Sequence, residues 1–343
     1  MLLATLLLFA AAEPPEARVA AELERSQRAF AQNESKDEQW MQLKPRIQTV
    51  LDRARRALAG KQTWAALEDL GKIRSVLDPA RAQKRSEGRD LEAFQARWKA
   101  AAPGLIERDA NARARRWKDR PAALRAIAEA AEGQSLPLLH AAPAYAAATD
   151  PQAGFFYLEQ AKATADFADL VASLAVRTRR AAPPLRSWAP ELQQVQDRVI
   201  AAFQPPRSID QHSDFIAINA QLKLAQELDS GGFPAGALYT WLDAVQQFGA
   251  LEVQDPDEAT RAKLVEQLAA TRAEIEAARR DDSIALLFVQ RAEVRAGQGE
   301  WRRVRAILER VMPAYRAAME GVPAAQRTPR EEVRITLVRW PYT

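Results

Sequence analysis

Residues 284–313 read IALLFVQRAEVRAGQGEWRRVRAILERVMP. The stretch divides into two helical segments, 283–296 and 300–319, on either side of Gly297-Gln298-Gly299. Apolar residues recur in each at spacings of three and four, which marks one buried face per helix. Glycine closes the first helix, and Trp301 follows within three residues as the second begins. The same plan appears in LKLAQELDSGGFPAGALYTWLDAV, residues 222–245, and is echoed in GKQTWAALEDL, residues 60–70. An amphipathic helix must bury its stripe, and a short connection makes its neighbour antiparallel. The expected fold is therefore all-α: stacked antiparallel helical hairpins in an α-solenoid-like array with a groove or concave face.

Composition agrees. Hydrophobic residues make up 48% of the 343, mostly alanine and leucine, and glycine is held to 13. Alanine and leucine lose little side-chain freedom in a helix. Further helices are expected around Val19–Phe30, around Trp40–Leu58 with Gly60 as the stop, and from Thr63 to Pro79. A long charged helix over 80–118 is expected to break at Pro103-Gly104. Pro121 opens a short helix that stops at Gly133, His140 lies in another, and Asp150-Pro151 starts one running to about Val176. AAPPLRSWAP, residues 181–190, holds three prolines and reads as the main internal junction. Four regions follow a leader (1–12): an N-terminal helical region (13–180), a Pro-rich junction with one helix (181–206), a C-terminal hairpin region (207–320) and a tail (321–343). In that tail EVRITLVRWPYT, residues 332–343, alternates with period two. It is expected to lie as an extended strap across a helical pair.

The hairpins resemble those of the tetratricopeptide repeat family. There a glycine closes the first helix, an aromatic follows, and a small residue three positions on allows close approach. Gly299, Trp301 and Val304 stand at these spacings, as do Gly231, Phe233 and Gly236. Val304 is larger than the family's usual alanine. The resemblance covers about a third of the chain and implies a helical array that binds a protein or peptide.

Charge and residue usage narrow the chemistry. Lys+Arg is 49 against Asp+Glu 45, a surplus of four. Nothing in so slight a surplus, spread along the chain, points to specific nucleic-acid binding. There is no cysteine, which removes disulfides, thiolate nucleophiles and Cys-held metals. The two histidines stand apart, so no metal or other cofactor is expected. In DQHSDF, residues 210–215, Asp210, His212 and Asp214 fall on different helical faces and read as a helix start. His140 reads as a lone core or groove histidine. DPDEAT, residues 255–260, reads as a helix start with Pro256 at or before the first turn. The opening MLLATLLLFAAA, residues 1–12, has the apolar core and small-residue end of a secretory signal, too short to span a bilayer. A periplasmic or secreted protein is expected, without a transmembrane segment in its mature form.

Five residues are the candidate binding set. Arg113, Arg116 and Arg120 belong to the densest basic run, RARRWKDR (113–120), read as spread around a helix. Trp188 in the junction and Trp340 in the tail are expected to be partly exposed or to lock their segments down. Trp40, Trp64, Trp98, Trp241 and Trp301 read as core. The functional expectation is an exported, non-catalytic binding or scaffold protein of the cell envelope that holds a peptide or protein segment in a helical groove. The alternative is a helical accessory domain or a hydrolase of envelope polymers that uses carboxylates.

Overall fold

The computed structural model describes residues 14–33, 38–86, 88–148, 150–203 and 212–320. The expected leader, the strap of the tail and Trp340 lie outside them. The described residues form twelve helices and no strand. These are α1 (Glu16–Ala31), α2 (Glu38–Ala59), α3 (Thr63–Lys84), α4 (Leu91–Ala114), α5 (Ala122–Ala148) and α6 (Pro151–Ser173) in the first half. The second half has α7 (Ala189–Ala202), α8 (His212–Ser230), α9 (Pro234–Glu252), α10 (Glu258–Ala277) and α11 (Ser283–Ala296). Helix α12 spans 301–320, with a π turn at Ile307–Val311. Consecutive helices pack as pairs, most extensively α5 with α6, α8 with α9 and α2 with α3. The all-α array of stacked hairpins is the observed architecture.

Three of the hairpin turns are the same structure. Lys61, Gly232 and Gly299 each sit at positive φ, 60°, 81° and 76°. The next residue's N–H reaches back five positions, Gln62 to Ala57, Phe233 to Leu228 and Glu300 to Arg295. This is the Schellman closure, which satisfies carbonyls orphaned at a helix end. The turn therefore aligns Gly232, rather than Gly231, with Gly299, and brings the Trp64 hairpin into register through Lys61. Ala66, Ala237 and Val304 occupy the equivalent buried position in the helices that follow.

Several expected breaks do not occur. Helix α3 runs through Pro79 to Lys84, α4 runs through Pro103, and α5 is one 27-residue helix through Gly133, Pro137 and Pro143. The basic run is correspondingly not one helix, because α4 ends at Ala114. Burial on both sides of each proline outweighs the missing hydrogen bond. Pro143 also deprives the Leu139 carbonyl of its helical donor, and the Trp98 indole N–H of α4 donates to that oxygen at 2.9 Å. Gly133 is a contact point and not a stop: a Cβ there would lie 2.1 Å from Leu228 of α8. His140 is exposed, contrary to the core expectation. Trp40, Trp64 and Trp241 are buried as expected, whereas Trp98 and Trp301 are half-buried.

The chain does not simply stack in order. Helix α11 lies against α2, α3 and α5 as well as against α10 and α12, and α9 lies against α5. One apolar cluster draws on Val19, Trp64 and Leu124 from the first half and on Trp241, Phe288 and Met319 from the second. The junction at 174–188 is stitched down on both sides. Thr178 N–H donates to Asp119 O at 3.0 Å, and Asp281 N–H to Ala181 O at 2.8 Å.

Removing the indole donor by Trp98→Phe is expected to cost about 1 kcal/mol in urea unfolding, the worth of one ordinary hydrogen bond. In a Pro143→Ala background the restored amide satisfies Leu139 O, and the cost of Trp98→Phe should shrink toward that of the lost ring area alone.

Candidate functional site

The buried polar residues include a set of helix caps and a charge cluster. The caps come from other helices. Gln290 of α11 accepts from Trp64 N–H at 2.9 Å, at the start of α3. Asp281 and Ser283 accept from Ala122 and Ala123 N–H at 2.6 and 2.9 Å, at the start of α5. Glu129 of α5 accepts from Ala235 and Gly236 N–H at 2.8 and 2.9 Å, at the start of α9. Free amides at a helix start attract acceptors, and here each set is already answered within the fold. Burial pushes the Glu129 and Asp281 carboxyls up, opposed by these donors.

The cluster centres on Arg291, 4% exposed. Its guanidinium donates to Glu68 of α3 at 3.0 Å, to Asp243 at 2.6 Å and to Gln246 at 2.6 Å, both on α9, and to the Tyr239 hydroxyl at 3.1 Å. It lies 4.4 Å from the Phe288 ring centre. Glu68 is also paired with Lys72, and next to it Arg53 grips Asp69 through two hydrogen bonds of 2.6 Å. Burial alone would push the Glu68 carboxyl up, but Arg291, with Lys72 and Arg53, outweighs it and holds the group well below the ordinary carboxylate range. Three cations face three carboxylates. A permanently ionised, fully paired carboxylate has no proton to give, so this cluster serves cohesion.

Glu132 of α5 is different. It is 1% exposed, and neither carboxyl oxygen has a hydrogen-bond partner among the described residues. Burial pushes its pKa up to about 7, with Asp169 and Asp109 adding to the rise and Arg108 and Arg115 opposing it.

An open groove of about 480 Å³ lies along α6 between α3 and α4. Its floor is Glu159, Lys162, Ala163 and Asp166; Asp78 and Arg81 of α3 with Arg85 at its C-cap form one wall, and Arg108 of α4 stands on the other. Helices α3 and α6 run antiparallel: Gly71 lies against the Phe167 ring, and Gln152 donates to Ser86 O at 2.6 Å. The groove's carboxylates are all engaged. Arg97 and Lys162 hold Glu159 at 2.6 and 3.1 Å, Arg108 holds Asp166 at 2.8 Å, and Arg74 holds Asp78 at 3.4 Å. Burial pushes the Glu159 carboxyl up, but Arg97 and Lys162 prevail and hold it below its ordinary range.

No protein-family model matches the chain, and no curated protein or solved structure matches it.

Of the sequence-predicted residues, Arg113 and Trp188 both engage the α8–α9 turn, Arg116 and Arg120 do not join them there, and Trp340 lies outside the described residues. Arg113 pairs with Asp109 at 2.7 Å, donates to Gly231 O and stacks on Phe233, so it ties α4 to the α8–α9 turn. Arg120 donates to Ala172 O and Leu174 O at 2.7 and 2.6 Å and closes the end of α6. Arg116 is exposed and has no partner among the described residues. Trp188 is not partly exposed: it is 0% exposed, because its indole N–H donates to Pro234 O at 2.7 Å while Arg186 covers the ring. It locks the junction onto the α8–α9 turn and offers a ligand no face. Asp214 lies in the first turn of α8, and Asp257 caps α10 by accepting from Thr260 N–H at 2.8 Å, both as expected. Among the described residues no group of three acidic or histidine side chains could hold a metal. The groove cations were missed. The one legible signal was Arg81 and Arg85, like charges four apart on one helical face, an arrangement that disfavours itself without an anion nearby.

Arg291→Met is expected to cost about 3–5 kcal/mol in chemical denaturation, since buried Glu68 keeps only Lys72 and half-buried Asp243 loses its charged partner. Adding Glu68→Leu should restore part of that loss. For Glu132 the ordinary carboxyl value is 4.5 and the folded value about 7. The folded state keeps a proton that the unfolded state releases, so stability falls as pH rises through this window and levels off above it. Melting temperature against pH should therefore decline in the wild type across the window, by the equivalent of about 3 kcal/mol, and should lose that component in Glu132→Gln.

Proposed function

We propose that this chain is a non-catalytic binding or scaffold protein of the cell envelope, and that its helical array holds a peptide or protein segment. The observation that carries this reading is the groove over α6. It is open, walled by two helices and lined with charged side chains whose carboxylates are tied to arginine or lysine. Such a surface presents fixed charge and hydrogen-bonding groups without an acid poised to exchange a proton.

The hairpin units are proposed to be of tetratricopeptide type. The three identical turns at Lys61, Gly232 and Gly299 support this, as do the small Ala66 and Ala237 in equivalent buried positions. The envelope location rests on the apolar opening of the sequence and its alanine triplet. The alternative, a carboxylate hydrolase of envelope polymers, draws on Glu132, whose carboxyl is pushed up into the range of a general acid. Its enclosure at 1% exposure favours the binding reading, because a general acid must reach its substrate.

Panning a displayed library of random short peptides on the folded protein tests the proposal. Enrichment of related sequences that bind the purified protein in solution is the expected result. A library that yields no binder, together with turnover of a soluble envelope polysaccharide or peptide, would replace the reading with the hydrolase.

A further inference from the structure

The groove over α6 carries more cations than it uses. Its carboxylates, Asp78, Glu159 and Asp166, are engaged by Arg74, Arg97, Lys162 and Arg108. Arg81 and Arg85 line the same wall and make no ion pair or hydrogen bond with any described residue. They are four apart, Arg81 in the last turn of α3 and Arg85 at its C-cap with helical backbone, and so face the same way. Arg81 is half-buried, so its charge is partly screened from water, while Arg85 is exposed at the open end. Two like charges held side by side repel each other unless an anion sits between or above them.

We propose that this groove binds an acidic peptide segment, with Arg81 and Arg85 taking carboxylates of the ligand. The assignment rests on the peptide-binding reading above and names the chemistry of the partner. Planar guanidinium groups match carboxylates in a two-pronged geometry that lysine cannot offer. The groove runs along α3 from Asp78 to Arg85, two helical turns and about 10 Å. That length accommodates about three residues of extended chain. Ala163 in the middle of the floor leaves room for a backbone, while Lys162 and Arg108 flank it.

Fluorescence anisotropy with labelled hexaglutamate, hexalysine and hexaglutamine probes tests this at low and at moderate salt. The full chain should bind hexaglutamate in preference to the other two, and more weakly as salt rises. Arg81→Gln/Arg85→Gln should weaken that binding tenfold or more, and Arg81→Glu/Arg85→Glu should abolish it. Arg46→Glu, at an exposed arginine outside the groove, should leave it unchanged. Circular dichroism and melting temperature confirm that each variant is folded. Equal binding by wild type and the double variants overturns the proposal, as does preference for a single-stranded oligonucleotide of the same charge. If library panning returns binders that ignore Arg81 and Arg85, the groove assignment falls while the peptide-binding reading stands. If panning returns none and the three hexapeptides bind alike or not at all, both fall.

Discussion

The guanidinium of Arg291 has been taken out of water, and carboxylates from two other helices have gone with it. Removing a charge from water is costly unless its partners travel too, so the position of α11 dictates where α3 and α9 must lie. The same helix is buried along nearly its whole length and has no face left for solvent. Its remaining polar groups are therefore spent on its neighbours: Gln290 on the start of α3, and Asp281 and Ser283, at its own start, on that of α5. Glu129 extends the same logic from α5 to α9. The helices are thus joined twice, by apolar stripes and by buried acceptors that finish each other's ends.

The hairpins were legible because glycine at a helix end has a single dominant physical use. Gly299 announced one turn, Gly231 announced a second but one residue out of register, and Gly60 marked the third helix end while its register stayed hidden, since a lysine at positive φ gives no sign of it in sequence. Prolines misled in the opposite direction. Pro79, Pro103 and Pro143 are reliable helix breakers in water, yet each sits within a helix whose burial continues past it. What rescues Pro143 is Trp98, 45 positions earlier and on another helix, a compensation that no local window contains.

The polar interior was illegible for a related reason. Glu68, Asp69 and Arg291 fall at positions that a binary pattern assigns to solvent. Only the return of α11 to α3 converts them into a core. Arg113 and Arg120 looked like a surface patch for the same reason, and the fold spends them on carbonyls at the α8–α9 turn and at the end of α6. The groove cations escaped notice because they belong to separate helices, and only the antiparallel packing of α3 on α6 brings Arg81 and Lys162 to one place. Charge that is spread evenly along a sequence can still be gathered by a fold.

The bond from Trp64 to Gln290 closes a loop of 226 residues. Contacts that span so much chain make folding slow, because the entropy of closing the loop is lost before anything is gained. They also impose an order on biosynthesis. A ribosome that has completed α3 and α5 has made helices with bare ends, and the residues that finish those ends are not translated until most of the chain has emerged. The first half can gather its own apolar clusters, but the starts of α3 and α5 stay uncapped until the second half arrives.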